Sequence, residues 1–172
     1  MKKIFILFMT LVIFTNFTIA QTKEEKKQQK EELAQKEYEA IKKLIDSKMF
    51  VFNATWLTTQ GGRHIDIRGN NNQVEVINDM TKATMQYFGV VTVSRFNSDG
   101  GVEFDSEIED YNVKYVDKKQ KIIISYTAKN KAEKYEVTMT VYKNRSAFVD
   151  LYSTYKNNIT YQGTVAPIAN GS

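Results

Sequence analysis

KIIISYTAKNKAEKYEVTMTVYKNRSAFVDLY, residues 121–152, is the stretch that decides the fold. Ile122, Ile124 and Tyr126 recur at every second position, as do Tyr135, Val137, Met139 and Val141, and then Ala147, Val149 and Leu151. A period of two belongs to a strand with one buried face, because successive side chains of a pleated backbone point to opposite sides. The runs are separated only by Asn130-Lys131 and Lys143-Asn144, which read as short turns. Strands joined so closely run antiparallel, since a parallel return needs a crossover of about a dozen residues or more.

The same alternation extends outward from this stretch. Phe50, Phe52, Ala54 and Trp56 alternate with Val51, Asn53 and Thr55; Ile65 and Ile67 with His64, Asp66 and Arg68; Val74 and Val76 with Gln73 and Glu75; Tyr111, Val113 and Tyr115 with Asn112 and Lys114. Gly61-Gly62, Gly69–Asn72, Asn78-Asp79, Ser98–Gly101 and Asp117–Gln120 supply further turns. The expected fold is mainly β, an antiparallel meander of about eight to ten strands. Hairpins with one apolar face must close on themselves or fold into two layers. A lipocalin-like up-and-down barrel is therefore expected, with a β-sandwich as the alternative.

Thr22 to Lys48 is dense in Lys, Glu and Gln and has no Gly or Pro, as suits a helix. Ala34, Tyr38, Ile41 and Ile45, with Leu44 beside them, form one apolar stripe, whereas Lys23–Glu32 has none and is expected to be a frayed charged leader. Ile41 and Ile45 are expected to cover an end or edge of the sheet; docking to a partner is the other reading. Ahead of the helix, Lys2 and Lys3 precede an uncharged apolar run from Ile4 to Ile19, ending at Ala20. This pattern predicts a signal peptide cleaved near Ala20, and export to the periplasm or beyond. Seventeen residues lie at the lower edge of a membrane span, and no basic stop-transfer cluster follows directly, so the mature form is not expected to cross a membrane. The expected organisation is signal peptide 1–20, leader and helix 21–48, β domain 49–163 and a flexible tail 164–172, which holds the only proline, Pro167.

Without cysteine the chain has no disulfide, thiolate metal site or lipid-anchoring thiol, and stability must come from its core. The net charge is +4, and loss of Lys2 and Lys3 brings it near +2, which does not describe a nucleic-acid binder. His64 is the only histidine, so histidine clusters for zinc and the usual serine triads are unavailable. It shares a face with Asp66 and Arg68, a polar trio expected to face solvent. Glu103, Asp105, Glu107, Glu109 and Asp110 could hold calcium or act as a carboxylate pair in sugar hydrolysis, but such spacing also suits an exposed edge strand. Asn97–Gly100 lacks the remaining ligands of a calcium loop, Gly61-Gly62 and Gly100-Gly101 lack a phosphate-loop context, and Lys118–Lys121 reads as a hairpin tip. No catalytic residue, metal or cofactor is expected.

The remaining candidates are aromatic. Tyr87, Phe88, Tyr152, Tyr155 and Tyr161, with Asn157 between them, suit stacking and hydrogen bonding to a sugar or small apolar ligand; strand packing would explain the same rings.

Phe52-Asn53-Ala54, Gly62-Arg63, Tyr87-Phe88-Gly89, Gly100–Asp105, Tyr111-Asn112-Val113 and Ile159–Gly163 together resemble Domain of Unknown Function 4251, from about Met49 to Gly163. One departure is Met85-Gln86, where that pattern carries a proline before Tyr87. The resemblance implies an exported bacterial envelope protein of unestablished activity and carries over no catalytic residue. The leading expectation is a non-enzymatic module that binds a small hydrophobic, peptide or glycan ligand in the mouth or groove of a barrel. An envelope structural or assembly protein is the alternative, and a hydrolase using residues 103–110 a third.

Overall fold

The computed structural model describes residues 2–89, 101–131 and 133–168, with side chains from residue 23 onward. All but Gly101 of the turn expected at Ser98–Gly101, the candidate loop Asn97–Gly100 and the last four residues of the tail lie outside the described residues. The chain divides into two compact units, Met1–Glu37 and Tyr38–Ser172. The first is helical throughout its described residues, being the greater part of α1 (Lys2–Asp46). Lys23–Glu32 is thus helical rather than frayed: a Lys, Glu and Gln run without a helix breaker sustains the helix with no apolar stripe of its own.

Among its described residues the second unit holds the last turns of α1 and ten strands: β1 (Met49–Thr59), β2 (His64–Asp66), β3 (Gln73–Ile77), β4 (Met80–Met85), β5 (Val102–Glu107), β6 (Glu109–Val116), β7 (Lys121–Asn130), β8 (Glu133–Tyr142), β9 (Ser146–Ser153) and β10 (Ile159–Pro167). They form a nearly closed antiparallel nine-strand barrel in the order β5-β4-β3-β1-β10-β9-β8-β7-β6, with β2 added against β1. The barrel, not the sandwich, is the fold. Phe50, Phe52, Val74, Val76, Ile122, Ile124, Val137, Met139, Val149 and Tyr161 all turn inward and are buried.

Closure comes from the first and last long strands. β1 pairs with β10 from Phe50↔Pro167 to Thr59↔Ile159, with a bulge at Thr55 that shifts the register between Ala54 and Trp56. At the bulge a Cβ on Gly163 would stand 1.9 Å from the Asn53 carbonyl oxygen, so only a glycine lets the two backbones approach this closely. β10 runs on to Pro167 and Val165 is fully buried, which corrects the expected start of the tail at residue 164. Val165 keeps the inward parity of Tyr161 and Gly163, a signal masked by small polar neighbours. The barrel's seam lies between consecutive strands instead. β6 pairs with β7 only as far as Thr127, and beyond it the end of β7 meets β5 through side chains. Lys129 N–H donates to Ser106 Oγ at 3.1 Å, and Asn130 Nδ2 to the Glu103 carbonyl at 2.7 Å.

The last turns of α1 occupy one end of this barrel. Tyr38, Ile41 and Ile45 join the core, and burying each isoleucine contributes about 1.5–3 kcal/mol. Around them Tyr38 Oη donates to Asp117 Oδ1 at 3.0 Å, Lys42 Nζ pairs with the same carboxylate at 2.9 Å, and Tyr115 Oη donates to Asp46. Burial, then the Asp46 bond, pushes the Tyr115 hydroxyl up to about 12.

Replacing Gly163 with alanine should lower stability by about 1–3 kcal/mol, because neither backbone can give way without breaking the ladder. Chemical denaturation checks this; an unchanged midpoint would mean that β1 and β10 are further apart than described.

Candidate functional site

At the end of the barrel opposite the last turns of α1, β4 leaves the sheet and β9 turns back into β10. Asn72, buried in the approach to β3, donates to the Ile67 carbonyl at 2.9 Å and accepts the Gln86 N–H at 2.7 Å. This explains the departure at Met85-Gln86, since a proline at position 86 would have no N–H to give. Tyr161 Oη donates to the Gln86 carbonyl at 2.8 Å, and Tyr87 Oη to the Asn157 carbonyl at 3.1 Å. The two bonds tie the segment after β4 to the connection between β9 and β10.

Of the six residues expected to bind a ligand, Tyr87, Asn157 and Tyr161 therefore converge. Tyr161 is fully buried and supports the site from beneath. Phe88, next along the chain, is 46% exposed. Tyr155 is half-buried, and its N–H donates to Ser153 Oγ at 3.2 Å. Tyr152 does not join the set: it stands between buried Leu151 and Ser153, opposite Glu136, on the outer face of the barrel and 55% exposed.

The centre of the site is an ion pair that sequence reasoning missed. Lys156 Nζ lies 2.8 Å from each carboxylate oxygen of Glu133 and 3.2 Å from Tyr135 Oη, with both charged side chains largely buried. Ser153 Oγ donates to Glu133 at 2.7 Å and accepts the Lys156 N–H at 3.0 Å. Burial pushes the Glu133 carboxyl up, but the bonds from Lys156, Tyr135 and Ser153 outweigh it and hold the group below its ordinary value. Burial first, then the bond to Glu133, drives the Tyr135 hydroxyl well above the usual phenol range, and burial does the same for Tyr161. The parity of the strands carried a signal for this pair. Glu133 has the inward phase of Tyr135 and Val137, Ser153 that of Val149 and Leu151, and polar groups at core positions need partners.

The other polar candidates lie apart from this end or face solvent. The His64 ring stacks on Trp56 at 4.6 Å, and its Nδ1 is 3.0 Å from Thr58 Oγ1. Asp66 is bound instead to Arg68, whose side chain and backbone N–H hold its carboxyl down to about 2. Glu103, Asp105 and Glu107 lie on the exposed face of β5, Asp105 being 3.7 Å from Lys82, and Glu109 pairs with Lys129 at 2.6 Å. Among the described residues no three His, Cys, Asp or Glu are grouped to hold a metal.

Lys156→Met strands a carboxylate and should cost about 3 kcal/mol at neutral pH. In the wild type Glu133 contributes stability that is full above its unfolded value near 4.5 and lost as pH falls through its lower folded value. In the variant, burial without the cation raises that value, so acid removes the penalty. The stability gap measured by denaturation should begin to narrow as pH falls through the variant's raised value, above 4.5, and keep narrowing until pH has fallen through the wild type's lower one; a constant gap would mean that the pair is not buried.

The sequence matches the family described as Domain of unknown function (DUF4251) over residues 32–165, a span that includes every residue of this site. A crystal structure of a DUF4251 family protein from Bacteroides eggerthii DSM 20697 is similar in fold, with a TM-score of 0.62 at 19% identity, over 76% of this chain and 87% of that one. No curated protein matches the chain. On the strength of the family match, which takes in the barrel and the last turns of its helix, the chain belongs to the DUF4251 family.

Proposed function

We propose that this protein is an exported, non-enzymatic binding module that takes a small hydrophobic, peptide or glycan ligand at the Tyr87–Asn157 end of its barrel. The observation that carries the reading is the largely buried Glu133–Lys156 pair, bound to Tyr135 and Ser153 at the end of the barrel where Tyr87 meets Asn157. Such a pair is weak as a source of stability, because desolvation offsets much of the attraction. Its use is a fixed polar floor, and exposed Phe88, next to Tyr87 in sequence, supplies an apolar contact. A ligand would sit on the rim, because the inward side chains of the described strands are packed against one another. The charged start, apolar run and small residue over positions 1–20 support export. No helix among the described residues is long and apolar enough to cross a membrane.

A structural or assembly role in the cell envelope is the second reading, and the packed interior favours it. Native mass spectrometry of protein purified from its own source separates the two. A co-purifying small mass, lost in Phe88→Ser with the melting temperature unchanged, is the expected result. A partner subunit in its place would support the structural role, and the bare chain alone would remove support for the ligand.

A further inference from the structure

A second feature lies at the other end of the barrel, on its outer face. The turns between β6 and β7 and between β8 and β9 bound a groove of about 450 Å³, a volume in the range of small-ligand sites. Its floor is aromatic. Tyr142 and Phe148 occupy outward positions beside buried Val141, Ala147 and Val149, with ring centroids 6.2 Å apart at 83°. Each ring is half-buried, so one side packs on the barrel while the other is available to the groove.

The rim is polar and already tied in place. Gln120 adopts the left-handed conformation at φ 45°; its carbonyl accepts the Lys143 N–H at 3.2 Å and its Oε1 accepts Lys143 Nζ at 2.8 Å. Asn144 Oδ1 accepts from Ser146 N–H and Oγ at 3.2 and 2.7 Å. Arg145, also left-handed at φ 67°, donates its N–H to the Tyr142 carbonyl and accepts the Val165 N–H, both at 2.9 Å. A rim held by these bonds loses little conformational freedom on binding.

The charge is one-sided. Lys119 and Lys143 line the groove, Lys118 and Arg145 adjoin them in sequence, and among the described residues no carboxylate lines it. Two acids lie two residues from the lining in sequence: Asp117 is engaged by Lys42 and Tyr38, and Asp150 accepts from Thr160 Oγ1 at 2.5 Å. An aromatic floor suits the C–H face of a sugar ring, the amides of Gln120 and Asn144 suit its hydroxyls, and the ammonium groups suit an acid substituent.

We propose that this groove binds an acidic oligosaccharide, one bearing uronate carboxylates, independently of the Tyr87–Asn157 site. The probe is a galacturonate trimer, titrated into the full chain by calorimetry alongside its fully methyl-esterified counterpart, which keeps the rings and loses the charge. Saturable binding of the acid form is expected, about tenfold or more weaker for the ester and for Lys119→Glu. Phe148→Ala should weaken both forms, and Phe88→Ser at the other end should change neither, which keeps failure of this site distinct from failure of the first. Lys119 is exposed, so its reversal leaves the fold intact and the melting curve verifies that. No heat with the acid trimer, equal affinity for the ester, or indifference to both Lys119→Glu and Phe148→Ala would overturn the proposal.

Discussion

The close approach of Gly163 to the Asn53 backbone is the constraint on which the rest of the structure depends. It lets β10 lie against β1 at a bulge, and that ladder converts a chain of hairpins into a barrel. Without it, β10 and β1 would each expose a row of unpaired backbone groups, the usual liability of edge strands. With it, the barrel's irregular join falls between β5 and the β6–β7 hairpin, where Ser106, Asn130 and Lys129 bridge by side chain and backbone what no continuous ladder joins. Pairing between strands so distant in sequence also places the β9–β10 connection next to the segment leaving β4. That proximity is what creates the Tyr87–Asn157 site.

The two ends of the barrel are finished by different chemistry. At one, the last turns of α1 supply Tyr38, Ile41 and Ile45 to the core, and a polar collar of Lys42, Asp117, Asp46 and Tyr115 surrounds them. At the other, the core gives way to Tyr161, Tyr135 and then the Glu133–Lys156 pair. An apolar finish contributes stability by burial. An ionic one contributes little after desolvation but holds charged groups at fixed positions. The difference is the physical reason why burial at the first end stabilises the barrel, and it is what motivates the proposal of a binding site at the second.

Much of this was legible in the sequence. The alternation through residues 121–152 and its repeats gave strands, antiparallel neighbours and a barrel, because side-chain parity is a local property that burial imposes on each strand. The inward role of Ile41 and Ile45 followed from the same logic at helical spacing. What could not be read is non-local. The β1·β10 register depends on a backbone contact between positions 53 and 163, and neither segment signals the other. Val165 was lost in a tail of small residues, and Lys156 resembled an ordinary lysine of a surface loop, although the inward parity of Glu133 and Ser153 called for a buried partner. Tyr152 was grouped with Tyr155 by proximity in sequence, whereas its strand turns it outward.

Native-state hydrogen exchange along β10 tests closure of the barrel most directly. As an interior strand between β1 and β9, β10 should have its amides on both sides protected to the level of β8 and open only with global unfolding. Fast exchange at every second amide, those facing β1, would reveal β10 as an edge strand and contradict the β1·β10 ladder on which the nearly closed barrel rests.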